Sequence, residues 1–357
     1  IGNAGAELGV RGYVSAYDAS SGELAWRFYT VPNPEKKPDG AASDDILAKM
    51  ANQTWGDEGA WVTDGGGGTA WDSIVYDTVN DQVLIGVGNG SPWNADIRDP
   101  NSDGDNLFLS SILAVDADTG AYRWHYQTTP RDRWDYTATQ QIVLADLPLG
   151  EDGASRRVVM QAPKNGFFYV LDAANGELIS ATPFTNQHWT TGEFDDKGRP
   201  VLVDEAVDLG LYAVVPGPTG AHNWHPMAFN PDTGLVYIPV NEIPFFYDKT
   251  RNVEESKSFW NIGYDAAAGW PVEYPAGTLD AVSGLDGGTL LAWDPVKAEP
   301  RWAVPFPLPL NGGVLSTTAG LVFQGNKFGE FVAYDAATGE MQEQHGLQPV
   351  PDFVPAF

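Results

Sequence analysis

The chain has 357 residues, with 20 Lys plus Arg against 48 Asp plus Glu and a formal net charge of −28. Such a polyanion is repelled by nucleic acid and by anionic lipid, which argues against both as partners. Cys is absent, which excludes disulfides, thiolate zinc sites, a cysteine nucleophile and a CxxCH haem attachment within this chain.

No apolar run reaches the length of a membrane span, about 18 residues. No basic, apolar leader opens the chain. Ile1 stands in what reads as mid-domain sequence, so a fragment or a processed chain is expected. Gly 40, Pro 26 and Trp 13, with few helix-period segments, point to an all-β protein.

From the N-terminus, the first landmark is the glycine-rich run Gly2–Gly12, where Glu7 sets a single carboxylate. The next is Ala16-Tyr-Asp-Ala-Ser-Ser-Gly-Glu-Leu-Ala-Trp26, the first copy of a repeat. It returns at Ala114–Trp124, Val170–Ser180, Ala292–Trp302 and Ala333–Glu340. Each copy reads as strand, tight turn and strand. Asp caps backbone N–H groups at the turn, and Gly supplies a positive φ. Trp follows Asp by eight residues in three copies (18→26, 116→124, 294→302), a placement suited to packing between neighbouring sheets.

A second hairpin signature, Ile74–Ile85, resembles Met227–Ile238. Gln82–Val87, Leu235–Val240 and Leu321–Gln324 read as short strands. Two hairpins per unit, repeated in series, predict a β-propeller, with a pair of β-sandwiches as the alternative. The units fall at 1–30, 65–127, 155–185, 220–306 and 314–345, the first and last incomplete. Long insertions at 31–64, 90–108, 186–219 and 243–285 are where function is expected.

Four clusters break the repeat. Gly2–Gly12 carries Glu7. Asp64–Trp71 sets four glycines before Trp71, and Gly86–Asn94 brings Asn89. Trp124–Thr137 holds Asp132 and Asp135 beside Arg131 and Arg133; Asp132 reads as a surface ion pair, and Asp135 as a base or metal ligand. Lys164 lies in Gln161–Tyr169, accompanied by Gly220–His225 and Leu310–Gly313. Glu7, Asn89 and Asp135 are hard oxygen donors with no sulfur available, a set that suits calcium. His222 and His225 read weakly as a zinc pair, since no third partner suggests itself.

At these clusters the sequence resembles the pyrroloquinoline-quinone (PQQ)-dependent alcohol dehydrogenases, and within them the soluble quinohaemoprotein type. The match lies in Gly5–Gly12, Gly67–Trp71, Gly88–Asn94, Tyr126–Pro130, Trp134–Gln141 and Gln161–Asp172. It runs to about residue 340 and fades from about Gln342, where the expected strand is lost. The resemblance implies an eight-bladed propeller with about five blades present, over residues 1–345, and an irregular tail over 346–357. It implies that Glu7 and Asn89 ligate Ca²⁺ with Asp135 close by. Trp71 would be the aromatic floor under the quinone. Asp135 would be the general base, and Lys164 would bond the quinone oxygen being reduced. Gly5, Ala6, Thr69, Asn223, Trp224 and Gly313 match positions that bind the cofactor, and His222 looks like a neighbour. Lanthanide-using relatives carry an extra Asp where Thr137 stands, so Thr137 favours Ca²⁺.

The implied reaction takes a small primary or secondary alcohol to the carbonyl level. Hydride passes to a quinone carbon polarised by Ca²⁺ while Asp135 accepts the hydroxyl proton. A periplasmic setting and a basic, cytochrome-type electron acceptor would suit the acidic charge. The family's cysteine pair, its upstream Glu, Arg and Thr, and a haem domain have no counterpart here. About half of the cofactor cage is therefore expected, with activity residing in a full-length parent. Competing readings are a non-catalytic scaffold propeller, and a dehydrogenase of the same family for a polymeric or sugar alcohol. Phe245, Phe246, Tyr247, Trp260, Tyr264 and Trp270 in the 243–285 insertion are candidates to shape the substrate entrance.

Overall fold

Short, nearly continuous apolar runs between turn residues fold as strands because each can then bury both faces between neighbouring sheets. The computed structural model describes residues 1–208, 212–248, 260–265 and 287–346. β1 (Tyr13–Tyr17) and β2 (Leu24–Tyr29) form a two-stranded pair. β3 (Ile74–Asp77), β4 (Gln82–Gly86), β5 (Ser111–Asp116) and β6 (Tyr122–Gln127) form the second sheet. β7 (Val143–Leu147), β8 (Arg156–Gln161), β9 (Phe167–Asp172) and β10 (Leu178–Pro183) form the third.

Between the third and fourth sheets run β11 (Thr190–Phe194), paired with β12 (Pro200–Leu202), and β13 (Tyr212–Val214). The fourth sheet holds β14 (Ala228–Asn230), β15 (Leu235–Asn241), β17 (Gly288–Asp294) and β18 (Glu299–Phe306). β16 (Phe245–Tyr247) leaves this sheet to pair with β13. The fifth holds β19 (Val314–Ser316), β20 (Leu321–Gly325), β21 (Glu330–Asp335) and β22 (Met341–Gly346). All pairings are antiparallel, and each four-stranded sheet is a meander in chain order, as a propeller requires.

Two expectations about boundaries fail. The third unit begins at Val143 rather than near 155. The fifth is complete, because β22 supplies the strand that the sequence seemed to lack. Every residue of β22 is exposed and most are polar, so it joins through the backbone ladder with no apolar alternation to announce it. The irregular tail assigned to 346–357 lies outside the described residues beyond Gly346.

The sheets stack face to face in sequence. On β4, Leu84 faces Val159 and Leu171 of the third sheet, while Ile85 faces Val14 and Phe28 of the first pair. On β8, Met160 turns the other way, toward Ile238 and Leu291 of the fourth sheet. On β15, Tyr237 turns toward Val322 and Tyr334 of the fifth. Each fully buried side chain of this kind contributes about 1.5–3 kcal/mol.

The repeated Trp explains the repeated Gly. A Cβ on Gly120 would stand 2.5 Å from the Trp26 ring, and one on Gly176 would stand 2.4 Å from Trp124. Gly339 faces Trp302 at 2.6 Å in the same way. Each indole thus lies on the turn of the following sheet. Trp26 and Trp302 also donate to the carbonyls of Ala117 (3.0 Å) and Ala336 (3.1 Å). Between the third and fourth sheets both partners are missing together: Ser180 stands in the Trp position and Ala298, at φ 55°, in the Gly position. The Asp caps hold in all five copies. Asp335, for example, accepts from the N–H groups of Ala337 and Thr338, both at 2.9 Å.

In a four-stranded meander the first and third turns share one end. The second turn and the crossing to the next sheet share the other. The repeat turns occupy the first end. The segments carrying Asn89 (β4 to β5), Asp135 (β6 to β7) and Lys164 (β8 to β9) all occupy the second.

Candidate active site

Glu7 sits on a single helical turn, Ala6–Leu8, between Gly5 and Gly9, whose φ values are 89° and 76°. Asn89 follows β4 and is buried. A strap joins the two segments. Gly65–Gly68 run at φ 77°, 79°, 82° and 70°. Within the strap, Gly67 bridges Arg11 on one side and Gly90 on the other. The N–H of Gly68 donates to the carbonyl of Asn89 at 2.8 Å, and that of Gly67 to Val10 at 3.1 Å. A Cβ at Gly67 would lie 2.5 Å from the Asn89 carbonyl oxygen. The glycines therefore serve close backbone contact.

The strap brings the side chains together. Asn89 Nδ2 and Trp93 Nε1 both donate to Glu7 Oε1, at 2.8 and 2.9 Å. Across the same cavity Lys164 Nζ donates to Asp135 Oδ2 at 2.8 Å, and both residues are buried. Burial pushes the Asp135 carboxyl well above the usual carboxylate range; Lys164 opposes this and the Glu7 carboxylate reinforces it. Lys164 rides on a fixed turn. The neighbouring Asn165 donates to the Thr128 carbonyl at 3.1 Å and to the Tyr169 hydroxyl at 2.8 Å.

The cavity encloses about 360 Å³, and its wall includes Glu7, Asn89, Asp135, Lys164, Thr69 and Trp71. Gly5 and Ala6 also reach it, as do Thr137 and Trp260, and so does Trp93, to which no wall position was assigned from the sequence. Asn223, Trp224 and Gly313 are not brought to this wall. Asn223 donates to the Thr219 carbonyl at 2.8 Å. Trp224 is exposed and stacks on His225 with centroids 4.0 Å apart. Gly313 packs against Pro226. Their segment runs beside Lys164, since the Ala221 N–H donates to the Lys164 carbonyl at 2.9 Å.

Two readings need correction. Asp132 makes no surface ion pair: it is fully buried, and its Oδ1 accepts from the N–H groups of Trp134 and Tyr136, both at 3.1 Å. His222 stays a neighbour rather than a ligand, as read from the sequence, because its ring nitrogens lie 2.6 Å from the Ala162 carbonyl and 2.8 Å from the His225 carbonyl. Phe245, Phe246, Tyr247 and Tyr264 are buried in apolar clusters rather than at an entrance; of that group Trp260 reaches the cavity, and Trp270 lies outside the described residues.

Sequence reasoning also passed over Arg98. It is fully buried, and burial lowers its guanidinium to about 10, still cationic at neutral pH. It donates to the carbonyls of Pro92 (2.8 Å), Trp93 (2.9 Å) and Asp132 (2.7 Å).

A hard divalent ion and a polar, planar cofactor fit what is present. Two carboxylates and a neutral amide side chain line one space, and the buried Thr69 hydroxyl on the wall has no hydrogen-bond partner. Among the described residues no group of three or more acidic or imidazole side chains gathers to hold a metal, so a metal bound here would also need the amide of Asn89.

The sheets and this cavity define a β-propeller with a polar ligand site at one mouth. The match is to the model of the PQQ glucose/ethanol/alcohol dehydrogenase β-propeller domain, over residues 2–193; the chain belongs to that family. It is 49% identical to the dehydrogenase subunit of alcohol dehydrogenase (quinone) of Gluconobacter oxydans, over 95% of this chain and 45% of that protein. It is 51% identical to quinohemoprotein alcohol dehydrogenase ADH-IIG of Pseudomonas putida, over 95% and 47%. The solved quinohemoprotein alcohol dehydrogenase of Comamonas testosteroni superposes with a TM-score of 0.87 at 45% identity, covering 97% of this chain and 50% of that one. A europium-containing methanol dehydrogenase superposes at 0.78 with 29% identity, over 97% and 59%. The chain thus spans about half the length of the curated relatives it matches. No described helix is long and apolar enough to cross a membrane.

Proposed function

We propose that this chain carries the metal- and base-bearing part of a PQQ-dependent alcohol dehydrogenase site. The observation that carries the reading is the convergence of Glu7, Asn89, Asp135, Lys164 and Trp71 on one cavity. Glu7, Asn89 and Asp135 would hold calcium. Thr69, Gly5 and Ala6 would border the quinone, with Trp71 as its aromatic floor. When bound, the calcium ion and quinone supply Lewis acidity and a two-electron acceptor.

The chain's own residues do the rest. Asp135 accepts the hydroxyl proton of the alcohol, and Lys164 places a positive charge beside the developing anion. Trp93 holds the Glu7 carboxylate in place. The Thr137 hydroxyl is occupied by Thr139 and Gln140 at 3.0 Å each, and the lack of a further carboxylate there supports calcium over a lanthanide. A small primary or secondary alcohol is the substrate, a basic cytochrome the electron acceptor, and the periplasm the setting; the acidic charge supports the last two.

By itself the chain is proposed to hold about half of the cofactor cage. The test is dye reduction with ethanol and larger alcohols after loading with PQQ and calcium, for this chain and for a full-length polypeptide carrying it. Turnover by the longer polypeptide alone supports the reading. Turnover by the chain alone overturns the half-cage part, and turnover by neither overturns the whole. A salt-independent rate of electron transfer to a basic cytochrome would count against that partner.

A further inference from the structure

Asp135 has a φ of 66°, a left-handed backbone conformation that a residue bearing a side chain rarely adopts unaided. Something must hold it there, and the flanking peptide groups show what does. The N–H groups of Trp134 and Tyr136, one on each side of Asp135, both point at Asp132 Oδ1. One carboxylate oxygen thus gathers two donors that an extended chain would hold about 6.5 Å apart, too far to share a single acceptor atom. The Trp134 carbonyl accepts from the Tyr247 hydroxyl at 2.6 Å, and the Tyr136 hydroxyl donates to the Pro216 carbonyl. Asp132 is itself anchored: Arg98 donates to its carbonyl and reaches back to the carbonyls of Pro92 and Trp93. Trp93 in turn holds Glu7.

We propose that Asp132 is a positioning residue: its buried carboxylate, on a loop anchored by Arg98, locks Asp135 in the left-handed conformation that aims its side chain at Lys164 and into the cavity. The inference rests on the reading of Asp135 as the base. It adds that the base is set by its own backbone, and that Arg98 ties this setting to the loop bearing Asn89 and Trp93. A carboxyl group is suited to the task because one of its oxygens, with two lone pairs, can accept two N–H groups at once.

The experiment uses the full-length polypeptide loaded with PQQ and calcium, with crystal structures and dye-linked kinetics of Asp132→Ala and Asp132→Asn. In Asp132→Ala, Asp135 leaves the left-handed region and its contact with Lys164 is broken. The same variant loses about 10- to 100-fold in kcat with KM within about twofold, the range set by a misplaced general base. Asp132→Asn keeps an oxygen for the two N–H groups and recovers most of the loss.

If Asp132→Ala does not fold, Asp132→Ser takes its place. Its shorter hydroxyl cannot serve both donors, and the same displacement is expected with a smaller loss of kcat. An Asp135 that stays left-handed and paired with Lys164 in either variant overturns the proposal, as does an Asn variant no better than Ala. If Asp135 is displaced but the unmutated protein oxidises no alcohol, the positioning role stands and the dehydrogenase reading falls.

Discussion

The two ends of the sheets use the same chemistry differently. At the repeat-turn end Asp335 and its four counterparts each cap a tight turn, and three indoles each lie on the next sheet's glycine. At the cavity end Asp132 accepts backbone N–H groups in much the same manner, but it is fully buried and aims a neighbour's carboxylate. Repetition builds the scaffold at one end; at the other, each loop departs from the pattern and carries one or a few side chains to the cavity. Substitutions at the first end should therefore cost stability, and those at the second should cost rate.

The largest expected effect lies at the cavity end. Asp135→Asn should reduce alcohol oxidation by the loaded full-length protein about 10³-fold, read as kcat at saturating alcohol, while PQQ absorbance shows the cofactor still bound. A loss of PQQ together with the rate would blur the contrast between the ends.

At the turn end Trp124→Ala should lower the unfolding free energy by about 3–4 kcal/mol in urea, because it empties the space over Gly176. His125 offers a pH-dependent version. Burial lowers its imidazole to about 4 from the ordinary 6.5, and its ring packs edge-on against Phe108 at 4.8 Å. A histidine held neutral binds fewer protons folded than unfolded. Stability therefore falls as pH drops from 6.5 toward 4, by on the order of 2–3 kcal/mol. The difference in melting curves between the parent and His125→Gln should shrink over that window and be steady above it.

Gly176→Ala should cost about 2 kcal/mol, since it adds both a clash with Trp124 and a strained left-handed alanine. Ala298→Gly, at the one junction with no indole to meet, should change stability by less than about 1 kcal/mol. Equal costs at both glycine positions would show that the indole contact does not distinguish the junctions. A similarly small loss, about 1 kcal/mol, is expected for Asp335→Ala, from a lost turn cap.

What recurs was legible in the sequence. The Asp-turn-Gly-Trp copies could be aligned by eye, and so the strands, the turns and the stacking followed. At the cavity end Glu7, Asn89, Trp71, Asp135 and Lys164 stood out through ordered segments resembling a known family, and the structure gathers them at one wall. Asp132 was misread because its work is done on backbone N–H groups, and such partners leave no mark among the side chains. Arg98 was missed for the same reason, its donors being spent largely on carbonyls. β22 escaped because an exposed, polar strand carries no apolar alternation. The aromatics of β16 were given to an entrance because composition cannot tell a buried ring from one at a rim.

The glycine strap carries one more consequence. Its backbone is bonded at once to the segments of Glu7 and Asn89, so these side chains form two teeth of a single jaw rather than independent arms. On the proposed reading, the ordering that a bound cation would otherwise have to impose is complete once the chain has folded. Recognition at this mouth is therefore decided more by fit than by the entropy of closing around a guest.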